Sequence, residues 1–160
     1  MALVVSIYGP SGSGKTTLIE RLIPRLVARG LKIGVIKHTH HGLTVDPQGK
    51  DSWRIWQAGA QAVLLAAPQE ILLRQRSSEP SFGSALALMP GDLDCIFVEG
   101  FAGDTTAPQA NVQLRLAVSH EGVWLNGRQR SRDDLAAVEE AIIELMKGST
   151  GADLIRVMQG

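Results

Sequence analysis

Residues 9–16 read Gly9-Pro10-Ser11-Gly12-Ser13-Gly14-Lys15-Thr16, which matches the pattern G-x-x-x-x-G-K-[ST] at every fixed position. The apolar run 3–8 precedes this stretch, and apolar residues at helical spacing follow it through residues 15–29. A strand, a glycine-rich loop and a helix in this order are the context that a phosphate-binding loop, or P-loop, requires. The stretch therefore predicts a P-loop, with a chance match in a glycine-rich turn as the formal alternative.

The residue types of this loop suit a nucleoside triphosphate with Mg²⁺. Glycines let several backbone N–H groups converge on one anion, and the N-terminus of the following helix adds partial positive charge. Lys15 is predicted to reach the β- and γ-phosphates, the Thr16 hydroxyl to bind Mg²⁺, and Thr17 to contact the α-phosphate. The predicted phosphate-binding residues are Gly9, Ser11, Gly12, Ser13, Gly14, Lys15, Thr16 and Thr17.

Apolar runs alternate with amphipathic stretches along the chain, which predicts a three-layer α/β P-loop NTPase fold with a mainly parallel sheet flanked by helices. The 160 residues fit a single nucleotide-binding domain. Predicted strands of the parallel sheet cover residues 3–8, 32–36, 62–66, 94–98 and 112–118. Predicted helices cover residues 15–29, with a kink or break at Pro24, 51–58, capped by Asp51 or Ser52, and 132–146, where Asp133 and Asp134 suit the N-terminus.

Four further segments are assigned from weaker patterns. Residues 70–76 are interpreted as an added strand and residues 79–90 as a short helix with loops. Residues 103–110 are interpreted as a loop, and the tail 148–160 as a short added strand or a partner contact.

Composition excludes several functional classes. Sixteen basic residues balance sixteen acidic residues, so no overall field favours nucleic acid or an anionic membrane. No window approaches the roughly 20 apolar residues of a membrane span. The single cysteine, Cys95, is interpreted as a small core residue. A reducing cytoplasm is the expected compartment.

Two acidic residues are candidates for the metal site. Glu99 ends a predicted buried strand, where a P-loop site usually carries a carboxylate for Mg²⁺, and Gly100 after it permits close backbone approach. Asp46 lies in the loop after the second strand and is the other candidate for a catalytic and metal-binding role. A turn residue before Pro47 is the alternative for Asp46, and Asp51 has a similar claim that a helix cap would also explain.

Basic residues cluster where the second predicted strand ends, as Lys37, His38, His40 and His41. One interpretation places Lys37, His38 and His40 beside the phosphates as an anion-facing, cofactor-binding patch. Another uses the three histidines as Zn²⁺ or Ni²⁺ ligands in a metallochaperone GTPase. A solvated loop without function is the third.

Taken together, the motifs resemble the molybdopterin-guanine dinucleotide biosynthesis protein B (MobB) family over residues 3–118. A P-loop is shared by many unrelated proteins, whereas K-H-T-H-H followed by P-x-G-K-D-S is far more particular. The blocks are residues 9–17, Val35-Ile36-Lys37-His38-Thr39-His40-His41, Asp46-Pro47-Gln48-Gly49-Lys50-Asp51-Ser52, Ala58-Gly59-Ala60 and Phe97-Val98-Glu99-Gly100-Phe101.

The resemblance implies a GTP-binding protein with weak GTPase activity that acts as a homodimer. It also implies an accessory role, in which the protein assists a MobA-like molybdenum cofactor guanylyltransferase to attach GMP to molybdopterin. Guanine specificity rests on the resemblance alone, because the tetrapeptide N-K-x-D that commonly reads guanine does not occur in this sequence.

A small-molecule kinase is the competing interpretation of the same P-loop. A kinase needs a lid that carries arginines, and the sequence offers Arg74-Gln75-Arg76 and Arg128-Gln129-Arg130-Ser131-Arg132 for that purpose. Slow hydrolysis is expected, because the sequence pattern places no glutamine or arginine beside the transferring phosphoryl group. Arg54 or Arg74 of a second subunit is a candidate to supply one.

Overall fold

The computed structural model describes residues 1–78, 80–101, 112–125 and 127–148. The strands are β1 Leu3–Tyr8, β2 Ile33–Lys37, β3 Ala62–Ala67, β4 Glu70–Gln75, β5 Cys95–Glu99, β6 Leu114–Val118, β7 Val123–Leu125 and β8 Arg128–Arg130. The helices are α1 Lys15–Val27, α2 Asp51–Gln57, α3 Phe82–Ala87 and α4 Leu135–Lys147. The chain groups into two compact units, Met1–His38 with Ser81–Gly160, and Thr39–Pro80. The expectation of a single domain stays a prediction.

The first unit contains a six-stranded sheet in the order β2-β5-β1-β6-β7-β8. Strands β2, β5, β1 and β6 are parallel, whereas β7 and β8 extend the sheet in antiparallel fashion. The predicted α/β fold with a mainly parallel sheet is therefore confirmed. Strands β7 and β8 were not among the predicted strands, because three residues each give too short a pattern for periodicity to detect.

Side chains alternate across the sheet and define a core on each face. Leu3, Val5 and Ile7 of β1 pack on the side of α1 and α4, together with Cys95 and Phe97 of β5. The intervening residues Val4, Ile96 and Val98 pack on the other face with Phe82 of α3. Helices thus cover both faces of the sheet. Burial of Cys95, whose thiol pKa is raised to about 12 by its apolar surroundings, confirms its structural role.

Helix α1 buries one apolar stripe against the sheet and runs without a break through Pro24. The stripe consists of Leu18, Ile19, Leu22 and Leu26, at the spacing of one helical face. The break expected at Pro24 is absent from the described helix, and that part of the prediction is wrong. Burial of the stripe outweighs the one hydrogen bond that Pro24 cannot donate.

Helix α4 begins three residues later than predicted, because Asp134 serves as its N-cap and accepts a hydrogen bond from the Ala137 N–H. Glu139 of α4 is buried, and its carboxylate pairs with Arg25 of α1 and with Arg29, which follows that helix. The distance from Arg25 Nε to Glu139 Oε2 is 2.6 Å. Burial opposes the charge of Glu139, but the hydrogen bonds from both arginines outweigh it and lower the pKa of this carboxyl.

The second unit consists of α2 and a two-stranded antiparallel sheet of β3 and β4. Residues 62–66 were expected in the parallel sheet, and this expectation is wrong. Only Pro68 and Gln69 separate β3 from β4, whereas a parallel crossover requires a dozen residues or more. Helix α2 also differs from the prediction, since its N-cap is Lys50 and no side chain caps it. None of the described residues of this unit is buried.

Two predicted segments, the loop 103–110 and most of the tail 148–160, lie outside the described residues. Within the part of the chain that the structure describes, no helix has the length and apolar character needed to cross a membrane.

Replacing Glu139 by Gln is expected to destabilise the protein by about 1–3 kcal/mol at pH 7, because two charge-assisted hydrogen bonds are weakened. The folded-state pKa of Glu139 is lowered, so its contribution is complete above the unfolded-state pKa, about 4.3, and is lost as pH falls through the folded value. Urea denaturation at several pH values should therefore show the two proteins converging in acid.

The control for this variant is Asp92→Asn, which removes an exposed ion pair with Lys32. Solvent-exposed ion pairs contribute little to stability, so little change is expected. An equal loss in the two variants, or a loss in Glu139→Gln that persists at low pH, would contradict the buried pairing.

Candidate functional site

The P-loop joins β1 to α1, and its glycines have backbone conformations that other residues rarely adopt. Gly9, Gly12 and Gly14 have φ of 147°, 75° and 94°. A Cβ at Gly9 would lie 2.0 Å from the carbonyl oxygen of Val118, so the close approach of β1 and β6 also requires glycine there. The loop therefore turns tightly at the carboxyl edge of the sheet, where ligands of open α/β folds bind.

The Lys15 side chain folds back across this loop. Its Nζ donates hydrogen bonds to the carbonyl oxygens of Gly9, at 3.0 Å, and Pro10, at 2.6 Å. Inside the loop, the Ser13 hydroxyl is buried and has no hydrogen-bond partner among the described residues. The loop thus presents an ammonium group and a buried hydroxyl at one place, and both can donate to phosphate oxygens.

Glu99 is brought to the P-loop by strand alternation. It continues the row of Cys95 and Phe97 on the face that packs against α1, and its register partner in β1 is Ile7. At this position Glu99 is 9% exposed and its Oε2 accepts a hydrogen bond of 2.9 Å from Thr16 Oγ1. A carboxylate at a strand end and a hydroxyl at a helix start, 83 residues apart in sequence, therefore form one contact.

Lys37 completes a cluster with these two residues. It is the register partner of Glu99 in β2, so the two side chains lie side by side on the same face of the sheet. Lys37 Nζ lies 3.1 Å from Thr16 Oγ1 and 3.4 Å from Glu99 Oε2. Lys37, one of the residues of the predicted basic patch, thus lies at the start of α1, beside the P-loop.

His38 lies at the same edge but stacks on an aromatic ring. Its imidazole and the Phe101 ring have centroids 4.3 Å apart. The backbone N–H of His38 donates a hydrogen bond of 2.8 Å to the Glu99 carbonyl oxygen. A Cβ at Gly100 would approach His38 Cβ to 2.8 Å, and Phe101 has a φ of 56°, which is unusual for a residue other than glycine. The Glu99-Gly100-Phe101 run is therefore shaped by its contact with His38.

His40, His41 and Asp46 belong to the second unit. Asp46 Oδ2 lies 3.5 Å from Arg74 Nη1, an ion pair within that unit. The roles proposed for Asp46 at the metal and for His40 at an anion stay predictions. Among the described residues, no three histidine, cysteine or acidic side chains gather as a metal cluster, so no observation favours the metallochaperone interpretation.

The arginines considered for a kinase lid have structural contacts. Arg74 and Arg76 lie over the Trp56 ring, at 4.1 Å and 4.2 Å from its centroid. Arg76 also donates to the Trp56 carbonyl oxygen at 2.7 Å. Arg130 lies 3.9 Å from Asp134 at the start of α4. These contacts give no support to a kinase lid.

Arg132, which belongs to the arginine run 128–132, lies beside the P-loop. Strand β8 runs parallel to β6, so the segment between β8 and α4 returns to the edge that carries the P-loop. Arg132 Nη1 lies 3.4 Å from the Ser13 carbonyl oxygen, and a Cβ at Gly14 would approach this nitrogen to 3.2 Å. The arginine run was visible in sequence, but the strands that turn it towards the P-loop were not.

A pocket of about 170 Å³ adjoins Arg132 at the start of α1. Across it Arg21 Nη1 and Asp133 Oδ1 form an ion pair of 2.6 Å. The lining residues are Gly14, Thr17, Leu18, Arg21, Arg132 and Asp133. The predicted α-phosphate residue, Thr17, therefore faces the same space as Arg132.

The oxygen ligands and N–H groups at this site fit Mg²⁺ and phosphate. A hydroxyl and a carboxylate are the hard oxygen ligands that Mg²⁺ prefers, and Thr16 Oγ1 and Glu99 Oε2 supply one of each. The glycine-rich turn at the start of α1 and the Lys15 ammonium suit the phosphates.

The sheet order and the P-loop define a protein with the P-loop NTPase fold. The chain belongs to the MobB family, whose model, described as molybdopterin guanine dinucleotide synthesis protein B, matches residues 4–138. It is 44% identical over 100 residues to the molybdopterin-guanine dinucleotide biosynthesis adapter protein of Haemophilus influenzae, covering 61% of this chain and 56% of that protein. Identity to the protein of the same name in Escherichia coli is 43% over 101 residues, covering 61% and 58%.

The chain thus spans little more than half the length of these curated relatives. A crystal structure of molybdopterin-guanine biosynthesis protein B superimposes with a TM-score of 0.64 at 28% identity, covering 91% of this chain and 99% of that one. The resemblance inferred from the motifs is therefore confirmed at the level of family and fold.

Replacing Gly9 by Ala is expected to destabilise the protein by about 1–3 kcal/mol, because the added Cβ meets the Val118 carbonyl oxygen in a conformation that alanine disfavours. Gly91→Ala is the matched control, since nothing lies within 4 Å of its Cβ position and its φ is not positive. Thermal denaturation should separate the two variants. Equal melting temperatures would show that β1 and β6 do not constrain the loop.

Proposed function

We propose that this protein binds GTP with Mg²⁺ at its P-loop and acts as an accessory protein in forming molybdopterin guanine dinucleotide. The observation that carries the nucleotide part is the contact of Thr16 and Glu99 beside a glycine-rich loop, in a chain of the MobB family. The names of the curated relatives, which are adapter proteins of that biosynthesis, support the accessory part.

The phosphate half of the nucleotide is assigned to the P-loop itself. Lys15 Nζ already lies over the loop, bonded to two carbonyl oxygens, and a phosphate oxygen would compete for the same N–H donors. The Ser13 hydroxyl and the N–H groups at the start of α1 add neutral donors. Binding in this proposal is thus mainly a charge-assisted interaction.

Thr16 and Glu99 are assigned to Mg²⁺. When bound, the ion would neutralise charge on the phosphates and fix their orientation. Glu99 suits this role because it is buried and points at Thr16, which restricts its side chain to few positions. Asp46 is retained as a proposed second carboxylate, on the strength of its place in the motif after β2.

Arg132 and the pocket beside Thr17 are assigned to the α-phosphate and the nucleoside. The guanidinium has planar N–H donors that match phosphate, and its contact with the Ser13 carbonyl oxygen uses only one nitrogen. Asp133 at the same pocket offers a carboxylate acceptor for ribose or base groups. Guanine preference is proposed from the guanine dinucleotide in the names of the relatives.

The proposal includes weak GTPase activity, a homodimer, and a MobA-like guanylyltransferase carrying molybdopterin as the partner. The β3–β4 sheet supports self-association, because Leu64, Ile71 and Leu73 lie on one face of it and are 59%, 72% and 45% exposed. Contiguous exposed apolar side chains of this kind are typical of interaction surfaces. Slow turnover fits an accessory protein whose bound state is the useful one.

Lys15→Ala is expected to weaken binding of a non-hydrolysable GTP analogue roughly 10- to 150-fold, the value of one charge-assisted hydrogen bond. Arg132→Ala is expected to cause a smaller loss, since Arg132 lies at the side of the loop rather than across it. Isothermal titration calorimetry with Mg²⁺ measures both. Lys32→Ala, an exposed lysine paired with Asp92, is the control. Unchanged affinity in Lys15→Ala would refute the phosphate site.

The accessory role is tested by titrating GTP and ATP analogues with Mg²⁺, alone and with a guanylyltransferase loaded with molybdopterin. Tighter binding of the GTP analogue, and a change of its affinity on adding the partner, are expected. Equal binding of the ATP analogue together with no response to the partner would leave the phosphate site but reject the guanine-specific accessory role.

A further inference from the structure

Lys37 contacts the same two oxygen atoms that are assigned to the divalent cation. Its ammonium lies 3.1 Å from Thr16 Oγ1 and 3.4 Å from Glu99 Oε2, and these two oxygens are 2.9 Å from each other. An ammonium group and a divalent ion cannot occupy one position between the same pair of oxygens. Binding of either cation there excludes the other.

The charge balance of the site gives Lys37 a reason to be there. Glu99 is almost wholly buried, and a buried carboxylate is costly unless a cation pairs with it. Among the described residues, Lys37 is the basic side chain paired with Glu99. Lys15, the other lysine of the site, instead bonds to the carbonyl oxygens of Gly9 and Pro10.

The backbone of Lys37 is held while its side chain can leave. Lys37 ends β2 in register with Glu99, and the next N–H, that of His38, donates to the Glu99 carbonyl oxygen. The side chain itself is 55% exposed, against 12% for that of Glu99. An exchange of cations would therefore be a rotation of the lysine side chain, with the strand and the carboxylate in place.

We propose that Lys37 is a placeholder cation, whose ammonium balances Glu99 and is displaced when a divalent ion binds Thr16 and Glu99. This inference rests on the metal assignment of the proposed function but not on GTP. Removing the ammonium has two opposite consequences. A divalent ion meets no competitor and binds more tightly, whereas an anionic ligand without a divalent ion meets an unbalanced carboxylate and binds more weakly.

The first experiment is a Mn²⁺ titration of nucleotide-free protein, followed by the electron paramagnetic resonance signal of free Mn²⁺. Lys37→Met, close to lysine in length but uncharged, is expected to bind Mn²⁺ about tenfold more tightly than the unmodified protein, because one charge-assisted contact no longer competes. Lys32→Met is the matched control. Lys32 lies just before the first residue of β2, at the opposite end of the strand from Lys37, and it pairs with Asp92.

The gain must depend on Glu99. In the Glu99→Gln background, Lys37→Met is expected to leave Mn²⁺ binding unchanged, because no carboxylate remains for the two cations to share. If Lys37→Met unfolds, Lys37→Gln replaces it, because the uncharged amide can still donate a hydrogen bond to the buried Glu99 carboxylate. Equal Mn²⁺ affinity with and without the Lys37 ammonium, when Glu99 is present, would overturn the proposal.

The second experiment measures GDP affinity in EDTA and in Mg²⁺. Lys37→Met is expected to weaken binding about tenfold in EDTA and to leave it equal or tighter in Mg²⁺. Equal weakening in both conditions would make Lys37 an ordinary phosphate ligand and overturn the proposal. Failure of the unmodified protein to bind GDP or a GTP analogue at all would reject the proposed function, while the Mn²⁺ titration would still decide the role of Lys37.

Discussion

The register of β5 with its two neighbours is the constraint on which the site depends. In that register Glu99 lies between Ile7 of β1 and Lys37 of β2, and all three side chains lie at the carboxyl edge of the sheet. Alternation along β5 then turns Glu99 towards the start of α1, where Thr16 meets it. A shift of one residue would turn Glu99 to the opposite face and remove the contact.

Charge at this edge is arranged in two opposed sets. The P-loop, the start of α1 and Lys15 are positive or partly positive and suit an anion. Glu99 is the negative group beside them, and Lys37 balances it. The two lysines of the site thus have different partners, since Lys15 bonds to carbonyl oxygens of the P-loop and Lys37 pairs with the Glu99 carboxylate.

Sequence patterns predicted the parallel strands of the six-stranded sheet, but they did not predict how the strands of the second unit pair. In β1 and β5, continuous apolar runs predicted buried strands, because strands covered on both faces need apolar side chains at every position. The run 62–66 looks the same, yet it belongs to an antiparallel hairpin in which no described side chain is fully buried. Local sequence identifies a strand, whereas its partner depends on the length of the connection that follows.

By itself, the sequence determined the P-loop, the alternation of strands and helices, the family, and the residue types at the site. Those properties depend on local backbone geometry and spacing, as at Gly9, Gly14 and Lys15. Only the tertiary structure decided that Lys37 shares Glu99 with Thr16, and that Arg132 lies at the loop. These contacts join residues that are far apart in the chain. Strand order and register bring them together, and residue spacing along the chain does not specify either one.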